Sequence, residues 1–217
     1  MENAVIKAIE DKKIIAIVRG VHSKKLIPLA KAMYDGGIRL LEVTYSADKS
    51  ISDIETANNI DLLKKHFGKE MHIGAGTVLT MAQLELTKQA GGEFIISPDT
   101  VPELIKATKE LQMISIPGAM TPSEISLAHK SGADFVKIFP IVSLGPEYVK
   151  AIRAPLSNIK LLAVGGVDVS NMVSYLRAGV CGFGIGGNIV DKKLLENNDF
   201  NGLTALAKKY VSVVKEC

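Results

Sequence analysis

Residues 14–44 read IIAIVRGVHSKKLIPLAKAMYDGGIRLLEVT, and this stretch decides the fold. Ile14–Val18 and Leu40–Thr44 are short apolar runs rich in β-branched residues, the length and composition of buried strands. Between them, Lys24–Met33 has a helical pattern and stops at Asp35-Gly36-Gly37, where glycine permits the left-handed turn that ends a helix. Strand, helix and strand joined this closely make a crossover unit with parallel strands.

Working outward, the same alternation fills the chain. Six further apolar runs follow, at His72–Ala75, Glu93–Ile96, Met113–Ile116, Asp134–Lys137, Lys160–Ala163 and Cys181–Gly184. Helical patterns sit between them, such as Met81–Gln89, Val101–Leu111 and Pro122–Ser131. Thr80, Thr100 and Thr121 stand as N-caps, and Gly91-Gly92, Ser131-Gly132 and Ala178-Gly179 as stops. Eight strands, one in about every two dozen residues, predict an α/β chain folded as a single (β/α)₈ barrel over residues 1–217. A doubly wound open sheet has fewer strands as a rule and a glycine-rich turn after the first. Here Arg19-Gly20-Val21-His22 stands in that place. The segment before Ile14 predicts a short extra N-terminal helix, and Phe200–Val214 the closing one.

Composition narrows the function classes. Aromatics are 5% and Trp is absent, so Ile, Leu, Val and Ala must build the core, as they do in a parallel sheet covered by helices. The net charge of +3 is spread over helix faces with no basic run interleaved with aromatics, which argues against nucleic acid. Cys181 and Cys217 form no CxxC pair, so a reduced, cytoplasmic protein is expected. MENAVIKAIEDKK lacks an apolar leader core and no apolar run reaches eighteen residues, so no membrane association is expected. The four histidines show no ligand spacing, so no metal and no other cofactor is expected.

In such a barrel, chemistry gathers at the C-terminal ends of the strands. Those ends carry Arg19, Glu42 with Thr44 and Ser46, Thr77, Ser97-Pro98, Pro117-Gly118, Lys137, Gly165-Gly166 and Gly186-Gly187-Asn188. Lys137 ends an apolar strand between Val136 and Ile138. Lost hydration there favours the free amine, a nucleophile toward ketones, although a lysine that merely snorkels to the mouth reads equally well. Glu42 stands among apolar residues in LLEVT, either paired with Arg39 or Arg19, or acting as an acid/base beside Lys137. The glycines of AVGGV and GIGGN offer bare N–H groups for a phosphate, and they also simply permit tight turns.

Together these motifs resemble one family. Glu42 in LEVT, GAGTV at 74–78, ISP at 96–98, PGAMTPSE at 117–124, Lys137 in VKIFP and the paired glycines are similar to 2-keto-3-deoxy-6-phosphogluconate aldolases. That family includes 4-hydroxy-2-oxoglutarate and 2-keto-3-deoxy-6-phosphogalactonate aldolases. The resemblance spans nearly the whole chain. It implies a metal-free class I aldolase, a carbon–carbon lyase giving pyruvate and an aldehyde such as glyceraldehyde 3-phosphate, and a homotrimer. It implies Lys137 as the Schiff-base lysine and Glu42 as the acid/base. Thr77 and Pro98 match the pyruvate pocket, and Gly165, Gly166, Gly186 and Gly187 the phosphate site.

Three positions depart from the phosphogluconate pattern. Ser46 stands where Arg is frequent, Ala163-Val164 where Pro-Thr is, and Asn188 where Ser is. AVGGV and KIFPIVSLGPEYVKA are also similar to phosphogalactonate aldolases, which accept a small polar residue at position 46. The expected substrate is 2-keto-3-deoxy-6-phosphogluconate, with 4-hydroxy-2-oxoglutarate beside it and the phosphogalactonate epimer as the alternative. A phosphate-binding barrel with no aldolase chemistry is the remaining rival. With Ser46 offering at most one neutral donor, Arg19 is the candidate anchor for the pyruvate carboxylate; pairing with Glu42 or reaching a distal phosphate are its other readings.

Overall fold

A computed structural model of the chain describes residues 3–215. Cys217 lies outside them; Cys181 is a free thiol whose Sγ contacts the Leu161 carbonyl at 3.1 Å. Helix α1 (Ala4–Lys12) precedes β1 (Ile14–Val18), and the chain then alternates through α2 (Ser23–Asp35), β2 (Leu40–Thr44), α3 (Asp53–Phe67), β3 (His72–Gly76), α4 (Met81–Gln89) and β4 (Phe94–Ile96). It continues through α5 (Pro102–Glu110), β5 (Ile114–Ile116), β6 (Gly118–Ala119), α6 (Pro122–Lys130), β7 (Val136–Ile138), α7 (Gly145–Arg153), β8 (Leu161–Val164), α8 (Met172–Ala178) and β9 (Gly182–Ile185). Helices α9 (Lys192–Glu196) and α10 (Phe200–Lys215) follow.

The strands run parallel in the order β5-β4-β3-β2-β1-β9-β8-β7-β6. Nine segments stand where eight strands are expected because the fifth strand is broken in two. Pro117 lies between β5 and β6 and has no N–H for the ladder. The ladder nevertheless crosses the break, with Ser97 N donating to Ile116 O (3.3 Å) and Lys137 N to Pro117 O (2.9 Å). The two ends of the sheet order are thus neighbours in the chain, and the sheet forms a (β/α)₈ barrel.

Local chemistry explains most boundaries. Thr80 and Thr121 cap α4 and α6 as expected, Thr121 in a reciprocal capping box with Glu124. Thr100 does not cap α5. Val101 takes that position, and the Thr100 hydroxyl instead donates to Gly118 O at 2.7 Å. Strand β7 begins later than Asp134–Lys137 predicts, because the Asp134 carboxylate accepts from Ser115 N (2.8 Å) and Lys109 Nζ (2.7 Å) in the preceding bend.

Side chains alternate along each strand, and this places the site. Leu41 and Val43 of β2 pack outward in the larger cluster beneath the helices, whereas Leu40 joins the barrel interior with Ile15, Phe94, Phe135 and Leu162. Val5 and Ile9 of α1 close the N-terminal end of that interior, each burial contributing about 1.5–3 kcal/mol. Two residues beyond Leu40 comes Glu42, and two beyond Phe135 comes Lys137. Both therefore point inward near the C-terminal mouth. Among the described residues no helix is long and apolar enough to cross a membrane.

Candidate active site

Lys137 and Glu42 are 7% and 2% exposed, so neither charge can be hydrated as it would be in water. Burial pushes the Glu42 carboxyl up, against the opposing pull of Lys137 and Arg19. Burial pushes the Lys137 ammonium down, opposed by Glu42 and assisted by Arg19. Both shifts favour the uncharged forms, an amine and a carboxylic acid buried together inside the barrel. Glu42 Oε2 and Thr44 Oγ1 are buried with no hydrogen-bond partner among the described residues. The Lys137 Nζ lies 4.5 Å from the centre of the Phe139 ring.

Strand β3 explains how a glutamate fits there. Register places Gly74 beside Glu42, and the inward positions of β3 at and above Glu42 are Gly74 and Gly76. A β-carbon on Gly76 would stand 1.6 Å from Glu42 Oε1, and one on Gly74 would stand 2.3 Å from the Phe94 ring. The glycines of GAGTV therefore make room for the carboxylate and for the ring beneath it. The resemblance that carries this motif does not assign it that role. The signal was available, since glycines two apart in an apolar strand leave one face bare.

Arg39 and Glu42 are not partners. The Arg39 guanidinium donates to Tyr34 O and Ile38 O, both at 2.8 Å, and stacks 4.0 Å over the Tyr34 ring. Arg19 donates to the Thr77 hydroxyl at 3.3 Å. Thr77 holds φ +56°, a left-handed conformation that costs a β-branched residue on the order of 1–3 kcal/mol. Ser46 turns to its own loop: its hydroxyl bonds to the carboxylate of Asp48 and to Ser50 Oγ at 2.8 Å. Hydrogen bonds from Ser46 and Ser50 hold Asp48 down at about 2.

The two glycine pairs differ. Gly165 and Gly166 both have left-handed φ, +92° and +82°, and added β-carbons would strike Phe139 at 3.1 Å and Val142 at 2.4 Å. They seat the segment after β7. Gly187 has open space where a β-carbon would go; with Gly186, Arg19 and Ile17 it lines a depression of about 610 Å³. Ile17 is the lateral neighbour of Glu42, so this depression lies beside the strand position that carries Glu42. Asn188 Nδ2 donates to Val167 O at 2.8 Å and ties the loops after β8 and β9 together. The Pro98 carbonyl would lie 2.3 Å from a β-carbon on Gly118, and Gly118 is the lateral neighbour of Lys137. The structure thus gathers Lys137, Glu42, Thr44, Arg19, Thr77 and Pro98 at one mouth, with Ser46 and both glycine loops around it.

Residues 5–206 match the aldolase family described as KDPG and KHG aldolase. The chain belongs to that family. It is 34% identical to the KHG/KDPG aldolase of Escherichia coli K12 over 87% of this chain and 86% of that protein. It is 32% identical to the 2-dehydro-3-deoxy-6-phosphogalactonate aldolase of the same organism, over 81% and 83%. The fold superposes with a TM-score of 0.85 and 28% identity on the KDPG aldolase of Legionella pneumophila with pyruvate captured as a covalent carbinolamine, covering 95% of this chain and 97% of that one. Family membership sets aside the barrel without aldolase chemistry.

Proposed function

We propose that this chain is one catalytic domain that cleaves a 2-keto-3-deoxy-6-phospho sugar acid through a Schiff base on Lys137. One observation carries the reading: an inward lysine and an inward carboxyl are buried together inside the barrel, and each is driven toward its neutral form. The free amine attacks the C2 carbonyl and forms a carbinolamine. Glu42, as the acid, gives its proton to the departing hydroxyl, so water leaves and an iminium remains. The Glu42 carboxylate then takes the C4 hydroxyl proton. The C3–C4 bond breaks, the aldehyde departs, and the bonding pair moves toward the iminium nitrogen as an enamine. Protonation at C3 and hydrolysis release pyruvate and return the amine.

Arg19, placed by its bond to Thr77, holds the carboxylate, with Pro98 forming the wall behind the keto group. The substrate's distal half extends toward the depression lined by Gly186 and Gly187, where a phosphate finds backbone N–H groups, and Gly165, Gly166 and Asn188 shape the loops beside it. The substrate is 2-keto-3-deoxy-6-phosphogluconate, giving glyceraldehyde 3-phosphate, with 4-hydroxy-2-oxoglutarate cleaved to glyoxylate. The phosphogalactonate epimer is the second reading, favoured by Ser46 and by the relative of that name. A cytoplasmic homotrimer accompanies this reading, and light scattering tests the assembly.

Borohydride trapping with pyruvate should add one lactyl-type group to wild type, mapped to Lys137. Lys137→Arg should take up none and turn over nothing measurable, because a guanidinium does not deprotonate. A label on another lysine overturns the assignment. Cleavage rates on the two phosphorylated epimers decide between the substrates.

A further inference from the structure

The turn after β4, Ser97-Pro98-Asp99-Thr100, is clamped against the strand that flanks Lys137. Ser97 Oγ donates to Val78 O (2.8 Å), Gly118 N donates to Asp99 O (3.2 Å), and Thr100 Oγ1 donates to Gly118 O (2.7 Å). Gly118 is in turn the lateral neighbour of Lys137, and its missing β-carbon lets the turn come this close. Asp99 therefore has a fixed backbone beside the reactive amine. Its side chain is exposed at the mouth and takes no hydrogen bond or ion pair from the described residues. Asp48, on the loop after β2, differs: Ser46 Oγ and Ser50 N already donate to its Oδ1.

The charged groups around Lys137 come from three sides. Glu42 faces it from β2, Arg19 from the end of β1 and Asp99 from the end of β4, while the Phe139 ring, just past β7, covers it. Burial drives Glu42 toward its neutral form, and Asp99 is the exposed carboxylate that faces Lys137 on that side. A carboxylate with free acceptor oxygens attracts hydroxyl donors and repels a second carboxylate.

Resting on the aldolase reading above, we propose that Asp99 determines specificity: it accepts hydrogen bonds from hydroxyl groups on the aldehyde-derived half of the substrate and disfavours a carboxylate there. Polyhydroxylated keto acids satisfy it. The dicarboxylate 4-hydroxy-2-oxoglutarate, whose aldehyde-derived half is a carboxylate carbon beside C4, does not.

The test compares wild type, Asp99→Asn and Asp99→Glu on 2-keto-3-deoxy-6-phosphogluconate and on 4-hydroxy-2-oxoglutarate. Asp99→Asn should change the ratio of kcat/KM values by about tenfold in favour of the dicarboxylate, a modest figure because the group is solvated. Asp99→Glu, which keeps the charge, should retain most of the wild-type ratio. Since the Asp99 charge favours the ammonium form of Lys137, its removal should also move the rising limb of the pyruvate–borohydride trapping profile to lower pH. An Asp99→Asn ratio equal to that of wild type overturns the proposal, even where both rates fall together. Wild type that traps pyruvate while the ratio stays fixed leaves the aldolase reading standing and removes Asp99 alone. Wild type that traps no pyruvate overturns both.

Discussion

At the N-terminal end of the barrel charges are matched; at the C-terminal end they are left open. Glu93, just before β4, accepts from Lys64 (2.8 Å), His72 (3.2 Å) and Ile73 N (3.3 Å). Asp134, just before β7, repeats the arrangement with Lys109 and Ser115 N, and Glu10 of α1 pairs with Lys160 at 2.6 Å. At the opposite mouth, Glu42 Oε2 and Thr44 Oγ1 have no partner among the described residues, and Lys137 is buried against an aromatic ring. Both ends come from the same eight strands, so the difference is not one of fold. Polar groups satisfied by the chain itself stabilise it, and those left unsatisfied are available to a substrate.

The same isosteric change at each end tests this contrast. Glu42→Gln should leave the melting temperature near wild type and lower turnover by on the order of 10²–10⁴, the usual share of a general acid–base group. Wild-type turnover in that variant makes Glu42 structural. Glu93→Gln should do the reverse, destabilising by about 1–3 kcal/mol with kcat unchanged. Burial pushes the Glu93 carboxyl up, but hydrogen bonds from His72 and Lys64 outweigh it and hold the group below the ordinary value. A carboxyl whose folded value is depressed adds stability above its unfolded value, and that stability is lost as pH falls through the folded value. Thermal melts across acidic pH should therefore show a shallower decline for Glu93→Gln than for wild type. Parallel declines in the two proteins break the comparison at its N-terminal end.

Much of this was legible in the residues. Strand number followed from the spacing of apolar runs, and the inward aim of Glu42 and Lys137 follows from counting two from Leu40 and Phe135. The broken fifth strand was not read, although Pro117 in ISIPGA signals a missing donor. Thr100 misled because a threonine before a helix reads as a cap, whereas tertiary contact with Gly118 claimed its hydroxyl. The distinction between the glycine pairs was beyond sequence altogether. It depends on Phe139 and Val142 folding back over Gly165 and Gly166, which local patterns do not encode. Nor does the sequence reveal that the Ser46 hydroxyl is engaged by Asp48 and Ser50 in its own loop.

The smallest expected effect sits where the contrast is least complete, at Arg19. It is exposed and, among the described residues, has one side-chain bond, to Thr77, so it is neither matched like Lys64 nor buried like Lys137. In the proposed reading a substrate carboxylate completes its donor set, since that carboxylate needs charge-assisted bonds that Ser46 cannot give. Arg19→Ala should therefore weaken pyruvate binding about tenfold, seen as slower trapping at subsaturating pyruvate, in line with the loss of about 1.5–3 kcal/mol for a hydrogen bond to a charged group and some compensation by water. Ser46→Arg on that background should recover only part of the loss, because Asp48 competes for the new guanidinium. Arg19 also disfavours the ammonium form of Lys137, so its removal raises the lysine's affinity for a proton. The rising limb of the trapping profile should then move to higher pH, opposite in direction to Asp99→Asn. Unchanged pyruvate trapping, with a raised KM for phosphorylated substrates alone, assigns Arg19 to the distal phosphate beside Gly186 and Gly187 and leaves Thr77 to hold the carboxylate.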